Sequence, residues 1–209
     1  MNDNWRSFRY AVCCLSLLVY CLFLAACAGQ KAAKPTDKRY KSILKKWTRE
    51  GKGYENFETK LIIKATFKTE EFRESYVNEY SKVYMLDGEK LKKFKEDEIM
   101  ASKNYHEFLL SVHTPVQEWS ELERKEPTWA IFMINDSGDK VTPLDIRRMK
   151  EKSTYKRFYP YIDDWSEIYA VKFPISSSDG RLIVANETEY VKFIMTGPYG
   201  KGEVIWKLK

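Results

Sequence analysis

Glu58-Thr59-Lys60-Leu61-Ile62-Ile63-Lys64-Ala65-Thr66-Phe67-Lys68 alternates with a period of two. Leu61, Ile63, Ala65 and Phe67 share one face, and Lys60, Lys64 and Thr66 fall largely on the other. Successive side chains of a strand point to opposite sides, so the pattern predicts a half-buried strand. Thr69 then offers a helix N-cap, and Glu70 and Glu71 stand where the helix dipole favours acids. Phe72, Tyr76, Tyr80 and Val83 or Tyr84 recur at helical intervals up to Asp87-Gly88, which stops the helix. A second helix is predicted from Glu89 to Asn104. Its stripe of Leu91, Phe94 and Ala101 is weak, with acids between, so one flank is expected to face water.

Upstream, Tyr40, Ile43, Leu44 and Trp47 predict a short helix, which Gly51 and Gly53 are read as breaking. Downstream the period returns to two. His106, Phe108, Leu110 and Val112 share a face before Pro115, and Trp129 to Asn135 is apolar on both faces, as a central strand would be. Asn135 to Asp139 reads as a turn, and Lys140 to Arg147 is placed to pair back. Glu167–Phe173, Arg181–Ala185, Glu189–Thr196 and Glu203–Leu208 read as further strands, the last two joined by the turn-rich Gly197 to Gly202. Seven or eight short strands predict a mainly β, α+β domain: a β-sandwich with a helical pair inserted after the first strand. An immunoglobulin-like domain is its analogy in architecture only.

The N-terminus has a different pattern. Arg6 and Arg9 precede an apolar run from Ala11 to Ala26, interrupted by Ser16 and Tyr20, which closes on Leu24-Ala25-Ala26-Cys27. At about sixteen residues the run is short of the roughly 20 that span a bilayer, and it suits a secretion signal. The order basic, apolar, small-small-Cys resembles the signal sequence and lipobox of a bacterial membrane lipoprotein. That resemblance implies a signal peptide over residues 1–26, cleavage before Cys27, and lipid covalently attached to Cys27. An ordinary secretory signal and an uncleaved anchor are the competing readings. Ala28 follows rather than Asp, which by the same resemblance implies the outer membrane. Residues 27–39 lack any bulky apolar side chain and read as a lipidated tether, with an average span of roughly 20 Å. Residues 40–209 then form a single β-rich domain.

Cysteine usage agrees with export. Cys13, Cys14, Cys21 and Cys27 are the only cysteines, all at or before the cleavage point. A mature chain with Cys27 acylated has no free thiol, which fits an oxidising compartment and removes disulfides, thiolate metal sites and cysteine nucleophiles. Fourteen Tyr, eleven Phe and six Trp allow a core without cross-links. Of 36 basic and 30 acidic residues, removing Arg6, Arg9 and Asp3 leaves 34 and 29, a mild excess of +5. That excess reads as solvated faces, or as contact with anionic lipid or cell-wall polymer. An exported compartment argues against nucleic acid.

Catalytic candidates are few. His106 and His113 are seven residues apart and fall on opposite faces of one strand, so they cannot share a metal without a bulge. Asn135, Asp136, Ser137 and Asp139 form an oxygen-rich turn without the spacing of an EF-hand. Asp163-Asp164, set among aromatics, has the composition of a glycan-cleaving pair, but adjacent side chains usually diverge. Ser176 to Ser178 lacks a nucleophile elbow. No metal or other cofactor is expected beyond the lipid on Cys27. Between Arg147 and Trp165, however, aromatics and cations crowd together. Arg147, Arg148, Arg157, Tyr159, Tyr161 and Trp165 are the candidate binding surface, with core packing of the rings as the plainer reading. The chain is therefore expected to be a lipid-anchored envelope lipoprotein that is not an enzyme. It would act as a binding or assembly module, with membrane lipid and an envelope protein or polymer as partners. A carboxylate-dependent hydrolase of cell-wall glycan is the alternative.

Overall fold

The computed structural model describes residues 37–209; the signal-like segment, Cys27 and the tether up to residue 36 lie outside the described residues. Helix α1 (Lys38–Trp47) starts at Asp37, whose carboxylate accepts the N–H of Arg39 at 2.7 Å and of Tyr40 at 3.3 Å. Tyr40, Leu44 and Trp47 form its buried stripe. The same carboxylate meets Lys82 at 2.5 Å, so the folded body begins a few residues before Tyr40.

Gly51 and Gly53 do not break the chain. They lie inside β1 (Thr48–Glu55), which pairs with β2 (Glu58–Phe67) across a two-residue turn. Their reason is distant in sequence: β9 (Gly200–Lys207) crosses directly against them. A Cβ on Gly51 would stand 2.5 Å from the Glu203 carbonyl oxygen, and one on Gly53 3.2 Å from that of Lys201. The turn residues Asn56 and Phe57 both have positive φ, 47° and 68°, as a tight hairpin of this twist requires.

The helical pair therefore follows the second strand rather than the first. Thr69 caps α2 (Glu70–Tyr84) by accepting the Phe72 N–H at 3.3 Å, and Met85, in a left-handed conformation, ends it before Asp87. Helix α3 (Gly88–Asn104) buries no residue, in keeping with its weak stripe. The remaining elements are β3 (His106–His113), a 3₁₀ turn (Gln117–Ser120), β4 (Ala130–Asn135), β5 (Lys140–Val141), β6 (Asp145–Arg148), helix α4 (Lys152–Phe158), β7 (Glu167–Phe173) and β8 (Tyr190–Gly197).

Two antiparallel sheets result, ordered β1-β2-β3-β7-β6 and β5-β4-β8-β9. The architecture is the expected sandwich. With β2 beside β3 in one sheet, its likeness to an immunoglobulin-like domain stops at the packing of two layers. Leu61, Ile63, Ala65 and Phe67 are all buried on the inner face, opposite Phe193 and Trp206 of the second sheet. Phe108 joins the layers, its ring 5.2 Å from that of Phe193 and 5.1 Å from that of Trp206.

Three other expectations change. Ile131 and Met133 are buried but Phe132 and Ile134 are only half-buried, so β4 has one dry face. Lys140–Arg147 divides between sheets: β5 pairs with β4, whereas β6 pairs with β7. Arg181–Ala185 forms no strand, only an isolated bridge from Leu182 to Ser176. Ile183 is buried there without joining a ladder.

Candidate functional site

The outer face of the five-stranded sheet is covered by helices, and the site lies between the two. β3 alternates Phe108, Leu110 and Val112 inward with Glu107, Leu109 and Ser111 outward, and both sets are buried because both faces are covered. Glu107 is a buried carboxylate on β3 and needs partners. It accepts from Arg73 of α2 at 2.7 Å and from Lys68 at 3.2 Å. The Arg73 guanidinium also pairs with Glu98 of α3 and donates from Nε to the Lys68 carbonyl at 2.9 Å.

Two cations and two carboxylates thus neutralise one another around an arginine only 1 % exposed. Burial pushes the Glu107 carboxyl up, but the charges of Lys68 and Arg73 outweigh it and hold the group below the usual carboxylate range. Burial likewise opposes the charge on Arg73, and Glu107 and Glu98 more than offset it.

Beside this cluster opens a cavity of about 420 Å³. Tyr76, Tyr80 and Phe94 wall it from the helical pair, Leu109 and Ala170 from the sheet, and Tyr155 and Tyr159 from α4 and its end. Arg147 and Lys172 stand on the strand side, with Asp97 opposite on α3. The Lys172 ammonium lies 4.4 Å over the Tyr105 ring. Neither Arg147, Lys172 nor Asp97 forms an ion pair among the described residues. The Tyr76 and Tyr155 hydroxyls form no hydrogen bond among them either. Burial raises both phenols above their ordinary value, so they are neutral donors. The cavity therefore offers phenolic donors, two cations, a carboxylate and aromatic walls, a lining suited to holding a polar ligand in a fixed orientation.

The segment Arg147 to Trp165 is not one surface. Arg147 and Tyr159 both line the cavity. Tyr159 is 2 % exposed and its ring packs 6.0 Å from those of Phe72 and Tyr76, so it serves the core of the helical layer, as does buried Phe158. Tyr161 is half-buried, its hydroxyl 2.8 Å from that of Thr66. Arg148 turns away to Glu167 at 2.7 Å, and Arg157 lies on α4 with its Nε buried and without a hydrogen-bond partner among the described residues. Trp165, 83 % exposed, sits elsewhere, beside His113. The expected rim loop is a strand edge followed by a helix.

His106 and His113 take opposite faces, as their spacing requires. Burial pushes the His106 imidazole down to about 4, against a hydrogen bond with the Ile175 backbone. Asn135 and Asp139 close their hairpin turn on each other, Asn135 Oδ1 accepting the Asp139 N–H at 2.8 Å. Asp163 and Asp164 diverge: Asp163 accepts from Trp165 and Ser166, and Asp164 pairs with Lys156. Among the described residues no group of three or more His, Asp or Glu is placed to hold a metal, and no helix is long and apolar enough to cross a membrane.

Arg73, Glu98, Tyr76, Tyr105 and Lys172 escape a linear reading. The usable signal is a charge at an alternating position of an apolar strand, Glu107 in β3 and Lys172 in β7, together with Arg73 beside the aromatic stripe of α2. Comparison with protein-family models, with curated proteins and with solved structures finds no match for this chain.

Proposed function

We propose that this protein is a lipid-anchored module of the bacterial cell envelope, most consistent with the outer membrane, that acts by binding rather than by catalysis. The cavity beneath its helical layer is then the binding site. The anchor rests on the lipobox-like Leu24-Ala25-Ala26-Cys27. The binding reading rests on one observation: the cavity gathers polar groups that form no ion pair or hydrogen bond among the described residues, while its buried carboxylate Glu107 is locked by two cations. A carboxylate held ionised and fully bonded neither gives nor takes a proton readily. Asp163 and Asp164 diverge, which also weighs against a glycan-cleaving pair.

Two measurements test this reading. Replacing Cys27 with Ala should move the protein from the membrane fraction to the soluble one; unchanged membrane association would refute the lipid anchor. A photo-crosslinking residue at Arg147, in the full chain in its own membrane, should capture a discrete envelope component. The same group at Ile205, on the outside of the second sheet, should not. Capture at Ile205 alone would put the binding face on the wrong sheet.

A further inference from the structure

The opposite end of the same sheet face carries a second site, apart from the cavity and independent of the reading given to it. Ile62 and Lys64 of β2 stand beside His113 and Ser111 of β3 in register, all on the outer face. The turn Asp163 to Ser166 crosses them. Asp163 Oδ1 accepts three hydrogen bonds, from the Trp165 N–H at 3.1 Å, the Ser166 N–H at 2.8 Å and the Ser166 hydroxyl at 2.5 Å. The Trp165 carbonyl lies 3.5 Å from His113 Nδ1. The backbone of Trp165 is thus held from both sides, yet its ring is 83 % exposed, whereas Trp47, Trp129 and Trp206 are buried. A lone exposed ring needs no explanation. This one is the wall of a hollow of about 250 Å³ into which Lys64, His113 and Asp163 also open. Lys64 forms no ion pair and Asp163 Oδ2 no hydrogen bond among the described residues.

We propose that Trp165, with Lys64, His113 and Asp163, forms a platform that binds one pyranose ring of a glycan chain. A pyranose has an apolar face of C–H groups, which stacks on an indole, and a rim of hydroxyls that both donate and accept. Asp163 Oδ2 supplies an acceptor, Lys64 a donor, and His113 either. An apolar peptide side chain would leave those three polar groups desolvated and unmatched. Lys64 and Asp163 cancel in charge, so nothing here favours a polyanion. The hollow is smaller than the roughly 300–1,000 Å³ that encloses a drug-sized ligand, which suits a chain lying across the surface with one ring seated. Because these hydrogen bonds already hold the Trp165 backbone, binding costs little ordering of the turn. Asp163 is both an acceptor and, through Oδ1, the residue that positions Trp165.

The test is titration of the full chain, in a detergent without a sugar headgroup, with chitohexaose, cellohexaose and maltohexaose, read by tryptophan fluorescence and calorimetry. Saturable binding of at least one is expected. Trp165→Ala should weaken it by about tenfold or more, the loss of a stacking contact of roughly 1.4 kcal/mol, with Trp165→Phe recovering part. Neither change should lower the melting temperature, since the ring is exposed, and Arg147→Glu at the cavity should leave the titration unmoved. Binding of none of the three, or binding insensitive to Trp165, overturns the proposal. So would quenching of Trp165 by brominated lipid in reconstituted vesicles, which would assign the ring to a bilayer.

Discussion

The two faces of the five-stranded sheet are built from alternate residues of the same strands, and they differ in kind. On the inner face Phe67 stacks on Phe108 at 4.6 Å, and Phe173 meets Phe193 edge-on at 5.9 Å. Aromatic and aliphatic packing dominates there. On the outer face Thr66, Glu107 and Lys172 point into a layer of tyrosines and ion pairs that leaves open space. Strand alternation sends one set of side chains to a dry core and the other to an interface that is incompletely filled. The inner face supplies stability, and the outer face has room for something else. A sheet covered on both sides need not be covered equally well.

The largest expected effect lies on the inner face. Trp206 is fully buried and donates its indole N–H to the Trp47 carbonyl at 2.8 Å. Trp206→Ala should cost about 3–5 kcal/mol in a urea titration, from lost burial and the cavity left behind. Tyr80→Ala on the outer layer should cost clearly less; equal losses would erase the contrast. Next comes the buried ionic cluster. Arg73→Met should destabilise by about 3 kcal/mol because Glu98 and Glu107 lose their shared cation. Adding Glu98→Gln and Glu107→Gln to that variant should recover most of the loss, and no recovery would mean that Arg73 acts through packing.

A smaller effect depends on pH. The His106 imidazole titrates near 4 in the folded protein and near its ordinary 6.5 when unfolded, so between those values the unfolded chain binds more protons. Stability should therefore be unaffected by this group above about pH 6.5 and fall, by at most about 1.4 kcal/mol per pH unit, as pH drops towards 4. Glu107 and Asp163, whose carboxyls are lowered, add their own losses only at more acid pH. His106→Phe should flatten the curve between pH 4 and 6.5; an unchanged slope would place the titration elsewhere. The smallest expected effect is a gain. Phe57 holds a left-handed backbone with its ring fully exposed. Phe57→Gly should stabilise the hairpin by about 1 kcal/mol, measured as a higher melting temperature.

The same contrast decides what could be read from the chain. Leu61, Ile63, Ala65 and Phe67 announce β2 because one face packs against a uniform apolar layer. Thr69 announces α2 because a cap is a local hydrogen bond. β1 is hidden because Gly51 and Gly53 look like breakers, and only the approach of β9, some 150 residues away in the chain, explains them. Arg181–Ala185, with Leu182, Ile183 and Val184 in a row, reads as a strand but finds no ladder. For the cavity, Arg147 and Tyr159 could be picked out from local density of rings and cations. Arg73, Glu98, Glu107 and Lys172 come from four elements, and their meeting depends on which strand face the helices cover. Trp165 is legible as an aromatic, but its exposure depends on the hydrogen bonds of Asp163.

Helix α3 should open as a separate cover over the outer face while the two sheets stay folded. Hydrogen exchange of the backbone amides tests it most directly. Helix α3 buries no residue, whereas β3, β7 and β8 are central strands buried in the core. Under conditions where the fold is stable, amides of α3 should exchange through a local opening markedly faster than those of the three strands, which should exchange only with global unfolding. Protection of α3 equal to that of β3 would make the cover part of the scaffold and contradict the account.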